Sequence, residues 1–402
     1  MKKYIALLLA LVMVFALAAC GSSEQPAAAG SEEAAAPAAS DVKVAMITDY
    51  GDITDQSFNQ TTYEACKAFC EKNAVDFKYY KPTDDSTAAR VEMIDQAIAE
   101  GYNVIVMPGF AFAGAIAETQ DLYPDVKFIA LDVSEYDITS AFYKVDESGN
   151  VTEELLDPSN EPHVSANVYS AVYQEELCGY MAGVAAVKLG YTKLGFLGGM
   201  AVPAVIRYGS GFVQGANAAA EELGKDIEIN YVYGGQFYGD GDITAAMDTW
   251  YNAGTEVVFA CGGGIYSSAA EAAAKVNGKV IGVDVDQAAQ IDGAYGEGMT
   301  VTSAMKGLAA TVDTMLSEIL AGNWDKFGGK VDTLGLVSGE DPTLNYVQIP
   351  MESTQWSDGF TKEDYVALVA AMVSGEVTVS NDISALPAVG SHVTLNDQGQ
   401  IK

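Results

Sequence analysis

From Asp41 onward the chain alternates short apolar, β-branched runs with stretches of helical periodicity, and that alternation restricts its fold more than any other feature. The runs Val42–Thr48, Val75–Tyr80, Tyr102–Met107 and Lys127–Asp132 have strand length, and Ser57–Asn73, Ser86–Glu100 and Phe112–Asp121 between them read as helices. Strands that alternate with helices form βαβ units, and these build a parallel sheet flanked by helices. A second series follows, with strands near Val164–Val168, Lys193–Leu197, Ile227–Tyr233, Glu256–Cys261 and Lys279–Asp284 and helices near Glu175–Leu189, Val205–Leu223, Ile243–Ala253 and Tyr266–Val276. Between the series, Glu135 to Pro162 is rich in Asp, Ser, Gly, Asn, Glu and Pro and lacks a core-facing stripe. It reads as an exposed excursion with a short hairpin around residues 147–150.

Thr300–Ser303 then reads as a short strand and Lys306–Ala321 as a helix. In the weaker tail, Lys362–Ser374 looks helical and Val377–Val379 extended. A chain that leaves one α/β lobe and revisits it near its end predicts a two-lobed clamshell joined by hinge crossovers. The expected division is residues 41–166 plus 303–325 for lobe 1 and 167–302 plus 326–402 for lobe 2, about 360 residues in all, too many for one compact core.

The N-terminus is organised differently. Met1-Lys2-Lys3 is a basic start, Tyr4 to Ala19 is almost wholly apolar, and Leu17-Ala18-Ala19-Cys20-Gly21 ends in small residues before a cysteine. That run is shorter than the ~20 residues a spanning helix needs. The pattern reads as a bacterial lipoprotein signal over residues 1–19, with Cys20 as the lipidated N-terminus of the mature chain. Residues 21–40 carry no aromatic and no β-branched side chain, so the segment 20–40 is expected to be a lipidated tether. The expected location is the extracytoplasmic face of the cell membrane.

A formal charge of −34, from 21 basic and 55 acidic residues, argues against nucleic acid and anionic phosphate ligands. Beyond Cys20 the cysteines are Cys66, Cys70, Cys178 and Cys261. Cys66 and Cys70 lie one helical turn apart, which suits neither a disulfide nor a zinc site, and these thiols read as small buried hydrophobes. His163 and His392 have no candidate ligands near them in sequence, so no metal site and no cofactor is expected. The chain has no G-x-S-x-G, P-loop, strand-linked G-x-G-x-x-G or H-E-x-x-H motif.

What remains is a set of polar and aromatic residues at the carboxyl ends of the expected strands, where open α/β sheets bind ligands. The loop from Thr48 to Gln60 brings Asp49, Phe58 and Asn59; its plain alternative is a βα turn with Ser57 as N-cap. Gly109 and Phe110 follow the strand ending at Met107, and Asp132 ends the next. In the second series Phe237 and Tyr238 follow Tyr233, Gly262-Gly263-Gly264 follows Cys261, and Asp284 and Asp286 follow Val283. Singly, each residue has an ordinary reading: a core Phe, a capping Asp, a tight-turn Gly, a solvated Lys306 at a helix start. Their shared topological position points instead to recognition of a small, polar, partly flat ligand.

Asp49 with Asp55-x-Ser57-Phe58-Asn59-Gln60, then Val283-Asp284-x-Asp286-Gln287, then Thr302-Ser303-x-x-Lys306 resemble the basic membrane protein family, the purine-nucleoside-receptor type of substrate-binding lipoprotein serving ABC importers. The resemblance runs from about Val42 to Val379, and the excursion at Glu135–Pro162 is longer than the family pattern. It implies a type I periplasmic-binding-protein-like clamshell, each lobe a parallel sheet flanked by helices, closing over a nucleoside and delivering it to permease subunits, with no catalysis. It also implies that Phe58 and Phe237 cover the two faces of the base, that Asp49, Asn59 and Asp132 meet polar edges, and that Asp284 with Lys306 holds the ribose hydroxyls. Phe110 and Gly263 join the expected lining. Two other readings stay open from the residues: the same fold holding a sugar or another small polar solute, and an extracellular nucleoside hydrolase.

Overall fold

The computed structural model describes residues 41–401 apart from 147 and 149. The expected signal peptide, the lipidated Cys20 and the tether lie outside the described residues. Fifteen strands are described, and in chain order they are β1 (Lys43–Ile47), β2 (Asp76–Tyr80), β3 (Val104–Pro108), β4 (Lys127–Leu131), β5 (Tyr143–Val145), β6 (Val151–Leu155), β7 (Val168–Tyr173), β8 (Lys193–Gly198), β9 (Ile227–Tyr233), β10 (Val257–Cys261), β11 (Lys279–Asp284), β12 (Thr300–Lys306), β13 (Lys330–Leu334), β14 (Val347–Gln348) and β15 (Val393–Gln400).

They form two main sheets. The first runs β13-β7-β4-β3-β1-β2 and the second β14-β12-β11-β10-β8-β9-β15. Every pairing within them is parallel except β12 with β14. Read from β2 and from β9, the two sheets repeat one order, with the chain's direction reversing between β1 and β3 in one and between β8 and β10 in the other. Crevices at such reversals are where open α/β sheets hold ligands. The inner strands β3 and β10 are buried along their whole length, as parallel strands covered on both faces by helices must be.

Three expectations give way here, the first being the lobe boundaries at 303 and 326: β12 keeps residues 303–306 in the second sheet, and β13 places residues 330–334 in the first. The run Val164–Val168 does not open the second lobe: the strand is Val168–Tyr173, and it pairs with β4 and β13 in the first sheet. The chain therefore leaves the first sheet after Tyr173, not at residue 166. In the tail, Val377–Val379 forms no strand, whereas Val393–Gln400 pairs with the outer edge of β9. Its sequence VTLNDQGQ is mostly polar and half exposed, as an edge strand allows, so apolar periodicity does not mark it. The excursion contains the expected hairpin, β5 antiparallel to β6, but also the unforeseen helix Glu135–Ser140, fixed by a capping box between Ser134 and Asp137.

The chain crosses between sheets three times, and the crossovers are bonded to one another. Gln174 N–H donates to Leu334 O (2.9 Å), Gly307 N–H to Tyr346 O (2.7 Å), Tyr346 N–H to Gly335 O (3.0 Å) and Tyr173 OH to Thr311 Oγ1 (2.8 Å). Next to this hinge, helix Glu175–Lys188 packs on helix Pro203–Leu223 with their backbones in direct contact. A Cβ on Gly179 would sit 2.3 Å from Tyr208 O, and one on Gly211 2.0 Å from Glu176 O. Only glycine allows that approach, and it sets the start of the first helix against Tyr208–Gly211 of the second.

Candidate ligand-binding site

Between the lobes lies a cavity of about 440 Å³, and Asp49, Phe58, Asn59, Phe110, Asp132, Phe237, Gly263, Asp284 and Lys306 all line it. Gly109, Tyr238, Gly262 and Gly264 join them, whereas Asp286 stays outside and accepts from Ala288 N–H (3.1 Å) at the start of the next helix. Four contacts hold the lobes together around it. Ser57 Oγ donates to Asp284 Oδ2 (2.6 Å), Gln287 Nε2 to Gln56 O (3.0 Å) and Tyr50 OH to Met200 Sδ (3.5 Å), and Lys306 pairs with Asp132 across the cleft.

The loop after β1 explains its own sequence. Asp55, not Ser57, caps the helix Phe58–Asn73: its carboxylate accepts from the N–H groups of Ser57 (2.9 Å), Asn59 (2.9 Å) and Gln60 (3.0 Å). The Ser57 side chain makes no cap bond, so its hydroxyl is available to the opposite lobe. Asn59 gives its amide hydrogens to Asp49 (3.1 Å) and Asp55 (3.2 Å), tying the two carboxylates together. Asp49 also accepts from the N–H groups of Tyr50 and Gly51, both at 2.6 Å. Burial nonetheless raises the pKa of both Asp49 and Asp55 above the ordinary carboxylate value.

On the second lobe the glycine triplet serves as a seat for an aromatic ring. A Cβ on Gly262 would lie 2.7 Å from Phe237 Cδ1 and one on Gly199 2.4 Å from the same atom, so the ring packs directly against bare backbone. Gly262 at φ +140° and Gly263 at φ +51° occupy a region that side chains disfavour. Gly264 N–H donates to Phe237 O (2.8 Å) and fixes the loop.

The floor of the cavity is a buried charge cluster. Lys306 ends β12 and is 6 % exposed, not a solvated lysine at a helix start, because the following helix begins only at Leu308. Its ammonium pairs with Asp132, lies 3.5 Å from Asp284 Oδ1 and 3.5 Å from Glu175 Oε1, and stands 4.6 Å from the centroid of the Phe58 ring. Burial works against that charge, yet Asp132, Asp284 and Glu175 outweigh it and hold the lysine above its ordinary value. Asp284 also accepts from Tyr208 OH (3.2 Å). Burial, with Glu175 adding repulsion, pushes Asp132 up to about 6 despite Lys306. Asp132 (φ +60°) and Asp284 (φ +64°) both hold left-handed backbone conformations at strand ends, strain that clusters where function requires it. Asp132 Oδ1 is buried with no hydrogen-bond partner among the described residues, an acceptor suited to a ligand hydroxyl.

Sequence reasoning missed Glu175, Arg207 and Tyr208. Arg207 lines the cavity, and its Nε donates to Glu175 Oε2 (2.6 Å). Glu175 starts a helix and Arg207 is the fifth residue of another, positions where charged residues are ordinary, and only the glycine contact between those helices reveals their partnership. The described cysteines are free and buried, and Cys261 reaches the cavity wall. Among the described residues no cluster of His, Cys, Asp and Glu is placed to hold a metal.

Residues 42–346 match the family of ABC transporter substrate-binding proteins described as PnrA-like. The chain belongs to this family. It is 26 % identical over 261 residues to the ABC transporter nucleoside-binding protein BmpA of Lactococcus lactis, an alignment spanning 62 % of this chain and 65 % of that protein, just under two thirds of its length. An uncharacterized lipoprotein of Pyrococcus furiosus is 24 % identical over 341 residues, covering 82 % of this chain and 77 % of its own. Among solved structures, an ABC transporter solute-binding protein from Aeropyrum pernix superimposes with a TM-score of 0.60 at 22 % identity, over 85 % of this chain and 88 % of that one, which supports the shared fold. As a PnrA-like protein, the chain is a solute-binding component of an ABC transporter, a class defined by capture of a small molecule. Among its described residues no helix is long and apolar enough to cross a membrane.

Proposed function

We propose that this protein captures a nucleoside, a purine nucleoside foremost, between its lobes and hands it to a membrane permease, held at the cell surface by a lipid on Cys20. The observation that carries the reading is the pairing, in one interlobe cavity, of two aromatic rings with a carboxylate–lysine cluster. A nucleoside is neutral, presents a π face to aromatic rings, and offers vicinal hydroxyls as donors to carboxylates. In this reading Phe58 and Phe237 cover the base, Phe110 and Gly263 close its surroundings, and Asp49, oriented by Asn59, meets a polar edge. Asp132 and Asp284, with Lys306 between them, take the ribose hydroxyls. The name of the Lactococcus relative supports the ligand class, and the lipoprotein name of the Pyrococcus relative supports the anchor.

A thermal-shift screen of residues 21–402 against nucleosides, free bases, ribose and hexoses tests the ligand class. Ligand at about 100 times its dissociation constant stabilises a fold by ~2.7 kcal/mol. Inosine, guanosine or adenosine should raise the melting temperature and ribose should not; silence from every nucleoside with a response to a sugar would transfer the site to sugars. Release of free base and ribose on incubation would revive a hydrolase.

A further inference from the structure

Lys306 and Arg207 share one acidic partner that no ligand role requires. Glu175 is the second residue after β7, at the first crossover between the lobes, and is wholly buried. Its Oε2 accepts from Arg207 Nε at 2.6 Å, and its Oε1 lies 3.5 Å from Lys306 Nζ with no hydrogen bond of its own among the described residues. Lys306 is the last residue before the second crossover. The carboxylate therefore joins two of the three connections between lobes and touches two cations of the cavity lining, Lys306 and Arg207. Its place in the first turn of its helix favours its negative charge, and the Arg207 guanidinium, on the fifth residue of the helix Pro203–Leu223, lies against it as a counter-charge. The backbone contact at Gly179 and Gly211 leaves these side chains little freedom to separate.

We propose that Glu175 is a positioning residue that ties Lys306 and Arg207 to the first crossover and thereby holds Lys306 between Asp132 and Asp284 in the orientation a ligand meets. The role rests on the reading that Asp132 is a ligand-facing acceptor. The charged and titratable groups around Asp132 are Lys306 from β12, Asp284 from β11 on the far side of that lysine, Glu175 from the crossover helix, Arg207 from its partner helix, Tyr173 from β7, and Tyr208 and Asp137 on the cavity lining. Within that set Glu175 repels a charge on Asp132 and Arg207 favours it. Removing one or the other must move the protonation of Asp132 in opposite directions, a signature that general loss of packing does not produce.

The test is guanosine affinity by calorimetry from pH 5 to 8 for wild type, E175Q and R207Q. Wild-type affinity should fall as pH drops through about 6. E175Q should move that midpoint down and R207Q up, each by about one pH unit. An unmoved midpoint in a folded E175Q overturns the proposal. If E175Q does not fold, R207Q decides in the same way: an upward shift supports the role and an unchanged midpoint overturns it. If wild type binds no nucleoside, that reading fails separately, and the Asp132 carboxyl titration followed by ¹³C NMR, assigned with D132N, judges Glu175 by the same shifts.

Discussion

Replacing Asp284 with Asn isolates the charge at the centre of the site. The backbone there is left-handed, at φ +64°, and Asn tolerates that conformation as Asp does, so the substitution adds no backbone strain, whereas Ala would. In the wild type the carboxylate accepts from Ser57 of the opposite lobe at 2.6 Å and from Tyr208 at 3.2 Å, with Lys306 at 3.5 Å. An amide keeps one acceptor oxygen and turns the other position into a donor facing hydroxyls and an ammonium. Hydrogen bonds to a charged partner contribute about 1.5–3 kcal/mol and neutral ones about 0.5–1.5 kcal/mol. Weakening two ligand-hydroxyl bonds in this way should cost about 2–3 kcal/mol of binding, a roughly 30- to 150-fold rise in Kd. Calorimetry with guanosine measures it, with the melting temperature of the ligand-free variant as the control for folding. A folded Asp284→Asn protein whose Kd stays within about threefold of wild type would refute the assignment of Asp284 to the ribose hydroxyls.

Three further outcomes follow from the same geometry. Ser57→Ala removes a buried bond across the cleft, so the closed state should lose about 1.5–3 kcal/mol relative to the open one, read as a larger radius of gyration by small-angle scattering without a change in either lobe's helicity. Gly262→Ala places a Cβ 2.7 Å from Phe237, and overpacking of about 1–3 kcal/mol should weaken guanosine binding about tenfold while circular dichroism stays native. Asp132, raised to about 6 from 3.8, binds its proton more tightly folded than unfolded. Its contribution to stability is therefore present below pH 4 and lost as pH rises through 6, so acidification from pH 7 to 5 should reduce ligand affinity without Asp132 lowering the melting temperature.

Much of this architecture was legible because parallel sheets write themselves as alternating apolar runs and helices, each marked by its own period. The carboxyl ends of those strands then located the cavity lining, since topology fixes where an open sheet meets its ligand. Sheet membership was less legible. Val168–Tyr173 is as apolar as the strands of either lobe, and only pairing with β4 decides its place. Ser57 before a helix reads locally as a cap, because nothing in the loop announces that Asp55 performs that task and that Asp284 lies across the cleft. Lys306 looked solvated for the same reason. Its three carboxylate neighbours come from positions 132, 175 and 284, and burial of a lysine depends on partners that sequence distance conceals.

The most direct measurement is a crystal structure of the protein grown with guanosine. The account predicts a base between Phe58 and Phe237 and ribose hydroxyls within hydrogen-bond distance of Asp132 and Asp284. A nucleoside bound elsewhere, or a different solute held in that cavity in the presence of excess guanosine, would contradict it.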